Sequence, residues 1–182
     1  MRPYLLAVLV LLAGSTAFGQ NQNWIGHRVL TKSTVPLKVL DKVVDDGTES
    51  HIYKVTHVNG KWLWLTSGSV AGWVQASDVV WYDTAIDFFT REIQRNPANA
   101  RARLQRGRVW DDKEDLGKAL ADYSEAIRLD PKNPWALLCR ASVWNEETEY
   151  DRIIEDLSEA IRLDPGQWRA FFARGYARAQ YD

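Results

Sequence analysis

The chain has 182 residues, of which 46% are hydrophobic and 26% are charged, so its composition is that of a globular protein with one or two small domains. Its formal net charge of −1 provides no electrostatic basis for binding nucleic acid. The single cysteine, Cys139, excludes an intrachain disulfide. Because Cys139 lies in an apolar helical pattern, we expect a small buried side chain rather than a reactive thiol.

The N-terminal segment 1–19 has the pattern of a signal peptide. A basic residue precedes an apolar run over 4–13, and the small residues Ala17 and Gly19 suit a signal peptidase that cleaves before Gln20. The run is shorter than the roughly 20 residues that a membrane-spanning helix needs, so we expect no stable membrane span. The pattern predicts export to the periplasm or the exterior; an uncleaved anchor is the alternative.

Short strands with polar turns follow over residues 23–83. Strands are predicted near 28–31, 36–40, 51–58, 61–67 and 71–75. Asn59-Gly60 lies between two alternating runs and predicts a two-residue hairpin turn in which both residues have positive φ. An acidic turn is expected between strands, formed by Asp45, Asp46, Gly47 and Glu49. We expect it to be solvated; cation binding is the alternative.

The end of this β segment resembles a bacterial SH3-like domain. The residues that carry the resemblance are Trp62-Leu63-Trp64-Leu65, then Gly72-Trp73-Val74, then Ala76-Ser77-Asp78-Val79. Leu65 stands where that family usually has Val. The resemblance implies a small all-β barrel over 23–83, joined to the rest of the chain through a linker at 79–83.

Alternation along the strands suggests a candidate groove on this barrel. If Leu63 and Leu65 point to the core, Trp62 and Trp64 point outward. The candidate groove residues are Tyr53, Trp62, Trp64 and Trp73. Similar aromatic grooves in SH3-like domains bind peptides or glycans, which implies a cell-wall polymer as a ligand. The alternative is that these aromatic side chains pack on the following helices or shield a sheet edge.

An octapeptide repeats in the second half of the chain. SEAIRLDP occupies 124–131 and returns at 158–165, and a weaker echo, TREIQRNP, occupies 90–97. The three closing prolines are therefore 34 residues apart, and a fixed period of this kind indicates a stacked repeat architecture. Between the prolines, apolar residues recur at helical spacing, so each period contains two helices and two turns.

These repeats resemble the tetratricopeptide repeat (TPR), a 34-residue antiparallel helix pair. The family has small residues at the eighth, twentieth and twenty-seventh positions, which are Gly107, Ala119 and Ala126 in one unit. In the next unit Ala141 and Ala160 fill the first and last of these positions, and Ile153 replaces the expected Ala. The aromatic eleventh positions are Trp110 and Trp144. Ile153 and Leu157 depart from the family pattern, which implies looser packing in the second unit.

The resemblance implies an all-α TPR solenoid over 84–182. It divides into a half repeat at 84–99, full repeats at 100–133 and 134–167, and a half repeat at 168–182. The chain is thus expected to have two domains, a small all-β barrel and a helical solenoid. Arg106, Arg140 and Arg174 also recur every 34 residues. We expect them to form salt bridges to Asp122 and Asp156 on adjacent helices; a phosphate-binding row is the alternative.

TPR domains bind ligands on the concave face formed by the first helix of each pair. The corresponding positions here are Arg101, Leu104, Gln105, Arg108, Trp135, Leu138, Cys139, Ser142, Arg169, Phe172, Ala173 and Tyr176. Repeats that bind a terminal carboxylate carry Asn and Lys at such positions, and this chain does not. An apolar groove edged by Arg suits an amphipathic or acidic protein or peptide segment better.

No catalytic, metal or cofactor motif occurs in the sequence. The three histidines are scattered, and no Gly-rich phosphate loop or nucleophile motif is present. The sequence therefore predicts a non-enzymatic binding or scaffold protein. The alternatives are an accessory module of a cell-wall hydrolase system and a structural subunit of an envelope assembly. Phe171 and Trp168 leave apolar area on the last helix, which predicts weak self-association or partner docking through that face.

Overall fold

The computed structural model of the protein describes residues 23–39, 42–45, 51–144 and 149–181. The strands are β1 (Arg28–Thr31), β2 (Leu37–Val39), β3 (Lys42–Asp45), β4 (Tyr53–Asn59), β5 (Trp62–Ser67), β6 (Val70–Gln75) and β7 (Val79–Trp81). The helices are α1 (Tyr82–Arg95), α2 (Ala100–Asp112), α3 (Leu116–Leu129), α4 (Pro134–Val143), α5 (Tyr150–Leu163) and α6 (Trp168–Tyr181). The predicted signal peptide and residues 46–49 of the acidic turn lie outside the described residues.

Within the described residues, seven strands form one antiparallel sheet in the order β3-β2-β6-β5-β4-β1-β7. This sheet is open, with β3 and β7 at its edges, so the closed barrel that the sequence predicted is not confirmed. Strand β3 was not predicted. Asp45, expected in the acidic turn, belongs to this strand and pairs with Leu37 of β2.

Alternation along the strands places one face of the sheet in an apolar core. Val55, Leu63, Leu65 and Val74 are buried there, as the alternation in β5 predicted. Gly72 of β6 lies so close to β2 that a Cβ atom at this position would be 2.7 Å from Leu37 Cβ. A glycine is therefore required where β6 meets β2.

The β4–β5 hairpin forms at the predicted place with a different turn. Asn59 pairs with Trp62 as the last pair of the ladder, so the loop residues are Gly60 and Lys61. Gly60 has φ of +57°, whereas Asn59 is not among the described residues with positive φ. The two-residue loop is confirmed, and the prediction of positive φ at Asn59 is wrong.

The segment 79–83, predicted to be a linker, continues the fold without a break. Val79–Trp81 pairs with β1 as strand β7, and α1 begins at the next residue, Tyr82. The prediction failed because Val79 and Val80 are buried, and burial on β1 is a tertiary effect that a short sequence run does not reveal.

The six α-helices of the described part of the chain stack in sequence order and share apolar contacts between neighbours. Asn99 and Asn133 accept backbone N–H bonds at the starts of α2 and α4, so the caps repeat with the 34-residue period. One buried cluster runs from Leu104 on α2 to Ala177 on α6. Stacking of successive helix pairs thus produces the continuous core expected of a repeat array.

A further core joins the sheet to the first helices. Leu30 of β1 and Val80 of β7 are buried together with Phe89 of α1 and Val109 of α2. At its edge, Asp112 accepts hydrogen bonds from Arg28 Nη2 and from the Tyr82 hydroxyl, both at 2.5 Å. The sheet and the helices therefore share apolar and polar contacts.

Candidate functional site

Among the described residues, two of the three arginines that recur every 34 residues, Arg106 and Arg140, are engaged in ion pairs. Arg106 binds Asp122 through Nε and Nη2, both at 2.8 Å, and Arg140 binds Asp156 in the same way at 2.8 and 2.7 Å. Each aspartate lies on the partner helix of the same repeat. The hydrogen bond to Asp122 raises the pKa of Arg106, although desolvation opposes that rise. The predicted salt bridges are confirmed for Arg106 and Arg140, whereas Arg174 forms none with the described residues, so a row of three free arginines is not formed.

Each of these arginines also donates to a hydroxyl on the preceding helix. The acceptors are Thr90, Ser124 and Ser158, at 3.0, 3.2 and 3.3 Å from Nη1 of Arg106, Arg140 and Arg174. These hydroxyl residues also recur at 34, a signal that the sequence contained and our interpretation missed. The arginines therefore tie each helix pair to the one before it.

The sheet covers the part of the predicted concave face that α2 contributes. Leu104 is 1% exposed and Gln105 is fully buried. Gln105 Nε2 donates to the Thr31 carbonyl oxygen at 3.2 Å, and Arg101 Nη2 lies 3.4 Å from Thr31 Oγ1. Strand β1 thus occupies the position on α2 that a ligand was expected to contact.

The cover extends to the start of α4. Trp135 is 7% exposed, and its ring lies 5.7 Å from the ring of His51, just before β4. The guanidinium of Arg169 on α6 lies 5.6 Å from the Trp135 ring centroid, within cation–π range. Trp135 therefore lies between the sheet and α6.

The open part of the concave face is a groove between α4 and α6. Its volume is about 260 Å³, and its lining residues are Leu138, Ala141, Ser142, Ile153, Leu157, Phe172, Ala173, Tyr176 and Ala177. Phe172 is 72% exposed and Tyr176 is 50% exposed, whereas Leu138 is largely buried beneath. The structure brings together five predicted concave residues on this apolar surface, which we call the α4–α6 groove: Leu138, Ser142, Phe172, Ala173 and Tyr176.

A partly buried polar cluster lies between α2 and α3. The Tyr123 hydroxyl donates to Asp111 Oδ2 at 3.2 Å, and Arg108 Nη1 lies 3.4 Å from the same oxygen. Burial raises the pKa of Cys139 to about 11 and raises the pKa of Tyr123. The expectation that Cys139 is buried is confirmed, and its raised pKa favours the thiol over the reactive thiolate at neutral pH.

The four candidate residues on the sheet do not lie together. Tyr53 is 1% exposed and belongs to the core, so it does not line a surface groove. Trp64 and Trp73 lie on the outer face with ring centroids 5.2 Å apart, edge to face. Trp62 is 39% exposed on the same face. A patch of three tryptophans remains on the outer face of the sheet.

The outer side of α6 carries the apolar residues that predicted self-association. Trp168 is 69% exposed and Phe171 is 44% exposed. The guanidinium of Arg174 lies 5.7 Å from the Phe171 ring centroid. Self-association through this face stays a prediction.

No set of three or more metal-ligand side chains forms in the part of the chain that the structure describes. Within the same residues, no helix has the length and apolar content to cross a membrane.

Comparison with known proteins identifies the class of the helical part. Residues 112–143 match the family model described as TPR repeat. The Arabidopsis OM64 TPR domain is 28% identical with a TM-score of 0.51, covering 54% of this chain and 81% of that one. The TPR2B domain of yeast Sti1, solved in a complex with pHsp70, is 25% identical with a TM-score of 0.50, covering 54% and 84%. None of the curated proteins compared with the chain matches it.

A third similar structure has lower identity. The first TPR of Spaghetti (RPAP3), bound to the HSP90 peptide SRMEEVD, is 19% identical with a TM-score of 0.52, covering 55% of this chain and 79% of that one. At this identity the likeness concerns the fold alone. The helices of the present chain thus form a TPR-type solenoid, and the sheet precedes it.

Proposed function

We propose that the protein is an exported, non-enzymatic binding protein that holds a peptide segment in the α4–α6 groove. The observation that carries this proposal is the exposure of Phe172 and Tyr176 above Leu138, on the part of the concave face that the sheet leaves open. Exposed aromatic side chains over an apolar floor are the usual centres of binding energy in protein interfaces. TPR domains of similar fold hold an HSP90 peptide or pHsp70 in their solved complexes, which supports a peptide or protein ligand.

Charge favours an acidic ligand. All charged residues at the predicted concave positions are arginines, namely Arg101, Arg108 and Arg169. Asp111 partly balances Arg108, whereas Arg169 lies over the rings of Trp135 and Trp168. A segment with one large apolar side chain for the groove and carboxylates beside it would be complementary to this surface.

Peptide display tests this proposal. A random dodecamer library is panned on the chain from Gln20 to Asp182, and the enriched peptides are titrated by fluorescence anisotropy. Phe172→Ala is expected to weaken binding about 30-fold, because truncation of a central aromatic residue costs about 2 kcal/mol. Phe171→Ala is the matched control, since Phe171 is an exposed neighbour on α6 outside the groove. Equal affinities for the two variants, or no enriched peptide, would show that the groove is not the binding surface.

The tryptophan patch supports a second function for the sheet, the binding of a cell-wall polymer by an SH3-like module. This function is supported by the position of Trp62, Trp64 and Trp73, whose flat aromatic rings lie on the outer face of the sheet. Trp62→Ala with Trp64→Ala is expected to reduce co-sedimentation with purified peptidoglycan while the thermal midpoint changes little. Trp168→Ala is the control for loss of an exposed tryptophan elsewhere. A large fall in the thermal midpoint would instead assign the patch to the core.

A further inference from the structure

One face of α6 carries the residues that, in the full repeats, contact the second helix of the pair. Phe171, Arg174, Gly175 and Arg178 recur at helical spacing on this face, which we call the α6 end face. It is open in the described part of the chain. Phe171 is 44% exposed, and no atom of a neighbouring helix would lie within 4 Å of a Cβ atom at Gly175.

Gly175 marks the place where an apolar side chain of a second helix would pack. The equivalent residue of the first full repeat is Gly107, where a Cβ atom would lie 2.7 Å from the ring of Tyr123 on α3. The glycine in that repeat thus leaves room for the ring. Beside Gly175, no helix among the described residues fills the corresponding space.

Arg174 is held ready for a carboxylate. Like Arg106 and Arg140, it donates from Nη1 to a hydroxyl on the preceding helix, in this case Ser158 at 3.3 Å. In the other two arginines, Nε and Nη2 then bind both oxygens of an aspartate. Nε and Nη2 of Arg174 have no partner among the described residues, and neither is a buried atom, so a ligand can reach both.

Arg178 adds a second positive charge at the same place. It occupies the repeat position of Trp144, whose indole Nε1 donates to Asp156 Oδ2 at 3.4 Å. Its side chain is exposed. Arg174 and Arg178 therefore both lie at positions whose equivalents contact one carboxylate.

We propose that the α6 end face binds an acidic amphipathic helix of a partner protein. The helix places one carboxylate against Arg174 and Arg178 and, at the next residue, an apolar side chain over Gly175. This arrangement follows α3, whose adjacent residues Asp122 and Tyr123 contact α2 in this way. The partner helix would complete a third helix pair. The α6 end face does not line the α4–α6 groove, so the inference is independent of the proposed function.

Charge argues for a partner protein rather than a second copy of the chain. The charged side chains in the described part of α6 are all arginines, namely Arg169, Arg174 and Arg178, so two α6 helices facing each other would repel. The matching aspartates of a second copy, Asp122 and Asp156, are each 5% exposed and already bound to arginine. A separate helix with a free carboxylate is complementary to this surface.

A peptide with the sequence of α3, Leu116–Leu129, serves as the probe because it carries Asp122 next to Tyr123. An isolated helix of this length is only marginally stable in water, so a lactam bridge between positions 117 and 121, both exposed in α3, holds it helical. The peptide is labelled with fluorescein, and its anisotropy is measured against the chain from Gln20 to Asp182.

We expect saturable binding that becomes about tenfold weaker in Arg174→Gln, because a charge-assisted pair is lost. Asp122→Asn in the peptide should weaken binding by a similar factor. Combining the two changes should weaken it little further, since both remove the same interaction. Arg162→Gln is the matched control, because it removes an equal charge from the exposed surface of α5 and should leave the affinity unchanged.

Gly175→Leu separates docking from folding. It should keep or raise the thermal midpoint, because the space around a Cβ atom there is open and leucine is the better helix former. It should nevertheless block the peptide. Phe172→Ala should leave the affinity for this peptide unchanged while it weakens groove ligands, so failure of either proposal can be recognised separately.

Three results would overturn the inference. Without saturable binding of the peptide, the α6 end face would not be a helix-binding surface. Equal affinities for Arg174→Gln and Arg162→Gln would reduce the effect to general charge attraction. A dimer in sedimentation equilibrium that Gly175→Leu dissociates would make a second copy the occupant in place of a partner protein.

Discussion

Gly107 and Tyr123 face each other across the α2–α3 pair. A Cβ atom at Gly107 would lie 2.7 Å from Tyr123 Cε1, and Tyr123 is fully buried. The same positions of the next repeat hold Ala141 and Leu157, a larger residue opposite a smaller one. Leu157 departs from the family pattern by being smaller than the usual aromatic residue, and the facing residue, Ala141, is correspondingly larger than Gly107. Both Ile153 and Leu157 are buried in the core of the second unit.

Gly107→Ala is expected to destabilise the protein by about 1–2 kcal/mol. The contact with Tyr123 is an overpacking cost, and the better helix propensity of alanine offsets part of it. Chemical denaturation measures the change. In the Tyr123→Leu background the same substitution should cost less, because the ring is absent. Equal costs in both backgrounds would show that Tyr123 does not restrict this position.

The ion pair between Arg140 and Asp156 is partly enclosed, with side chains 23% and 5% exposed. Asp156→Asn would leave the arginine without its charged partner, and breaking a buried pair in this way costs about 3 kcal/mol. The denaturant midpoint should fall accordingly. Glu159→Gln is the control, because its pair with Arg162 lies on the surface and should matter little. Comparable losses for both variants would argue against a structural role specific to Asp156.

At the scale of elements, the sequence predicted those strands and helices whose periodicity is local. β1 was predicted with its observed bounds, and the octapeptide gave the second helix of each pair. β3 and β7 were missed because each is a short run that becomes a strand only through its neighbour, β2 for β3 and β1 for β7. The small SH3-like barrel is not confirmed for a related reason, since strand order depends on pairing across long sequence distances.

We expect the junction between β1, α1 and α2 to lose stability at alkaline pH. Desolvation, followed by the hydrogen bond to Asp112, raises the pKa of Tyr82 to about 12, compared with about 10 in an unfolded chain. A raised pKa means that the stabilisation is complete below pH 10 and is lost as the pH rises through 12.

The difference in denaturant midpoint between wild type and Tyr82→Phe should therefore be constant from pH 7 to 9 and shrink above pH 10. Comparison with Tyr82→Phe removes the contribution of other alkaline groups, including Tyr123. A difference that persists unchanged at pH 12 would mean that the hydroxyl of Tyr82 does not bind Asp112 in solution.

At the scale of the whole molecule, the structure departs from the sequence prediction more in the candidate site than in the fold of the helices. Residues of the concave face were chosen from repeat positions alone, and one of those on α2, Gln105, is buried where its amide donates to Thr31. Nothing in the repeat period encodes that contact, since the partner lies in the sheet. The α4–α6 groove could be predicted from the repeats because its lining comes from repeat positions only. The polar cavity lined by Thr34 and by the turns before α4 and α6 could not be predicted in this way, because Thr34 and the two turns meet only in the folded chain.

The shared core of sheet and helices predicts that the chain unfolds as one unit. Phe89 of α1 is fully buried between Leu30 of β1 and Val109 of α2 in one apolar cluster. Phe89→Ala should cost about 3–5 kcal/mol, as large aromatic truncations in cores do. The cluster belongs to both parts. The unfolding transitions followed by helical circular dichroism and by the fluorescence of the sheet tryptophans should therefore shift to lower denaturant concentration together and stay coincident. Tyr176→Ala, an exposed groove variant, serves as the control and should leave both signals unchanged. Two separate transitions, with only one shifted by Phe89→Ala, would show that the sheet and the solenoid are independent domains.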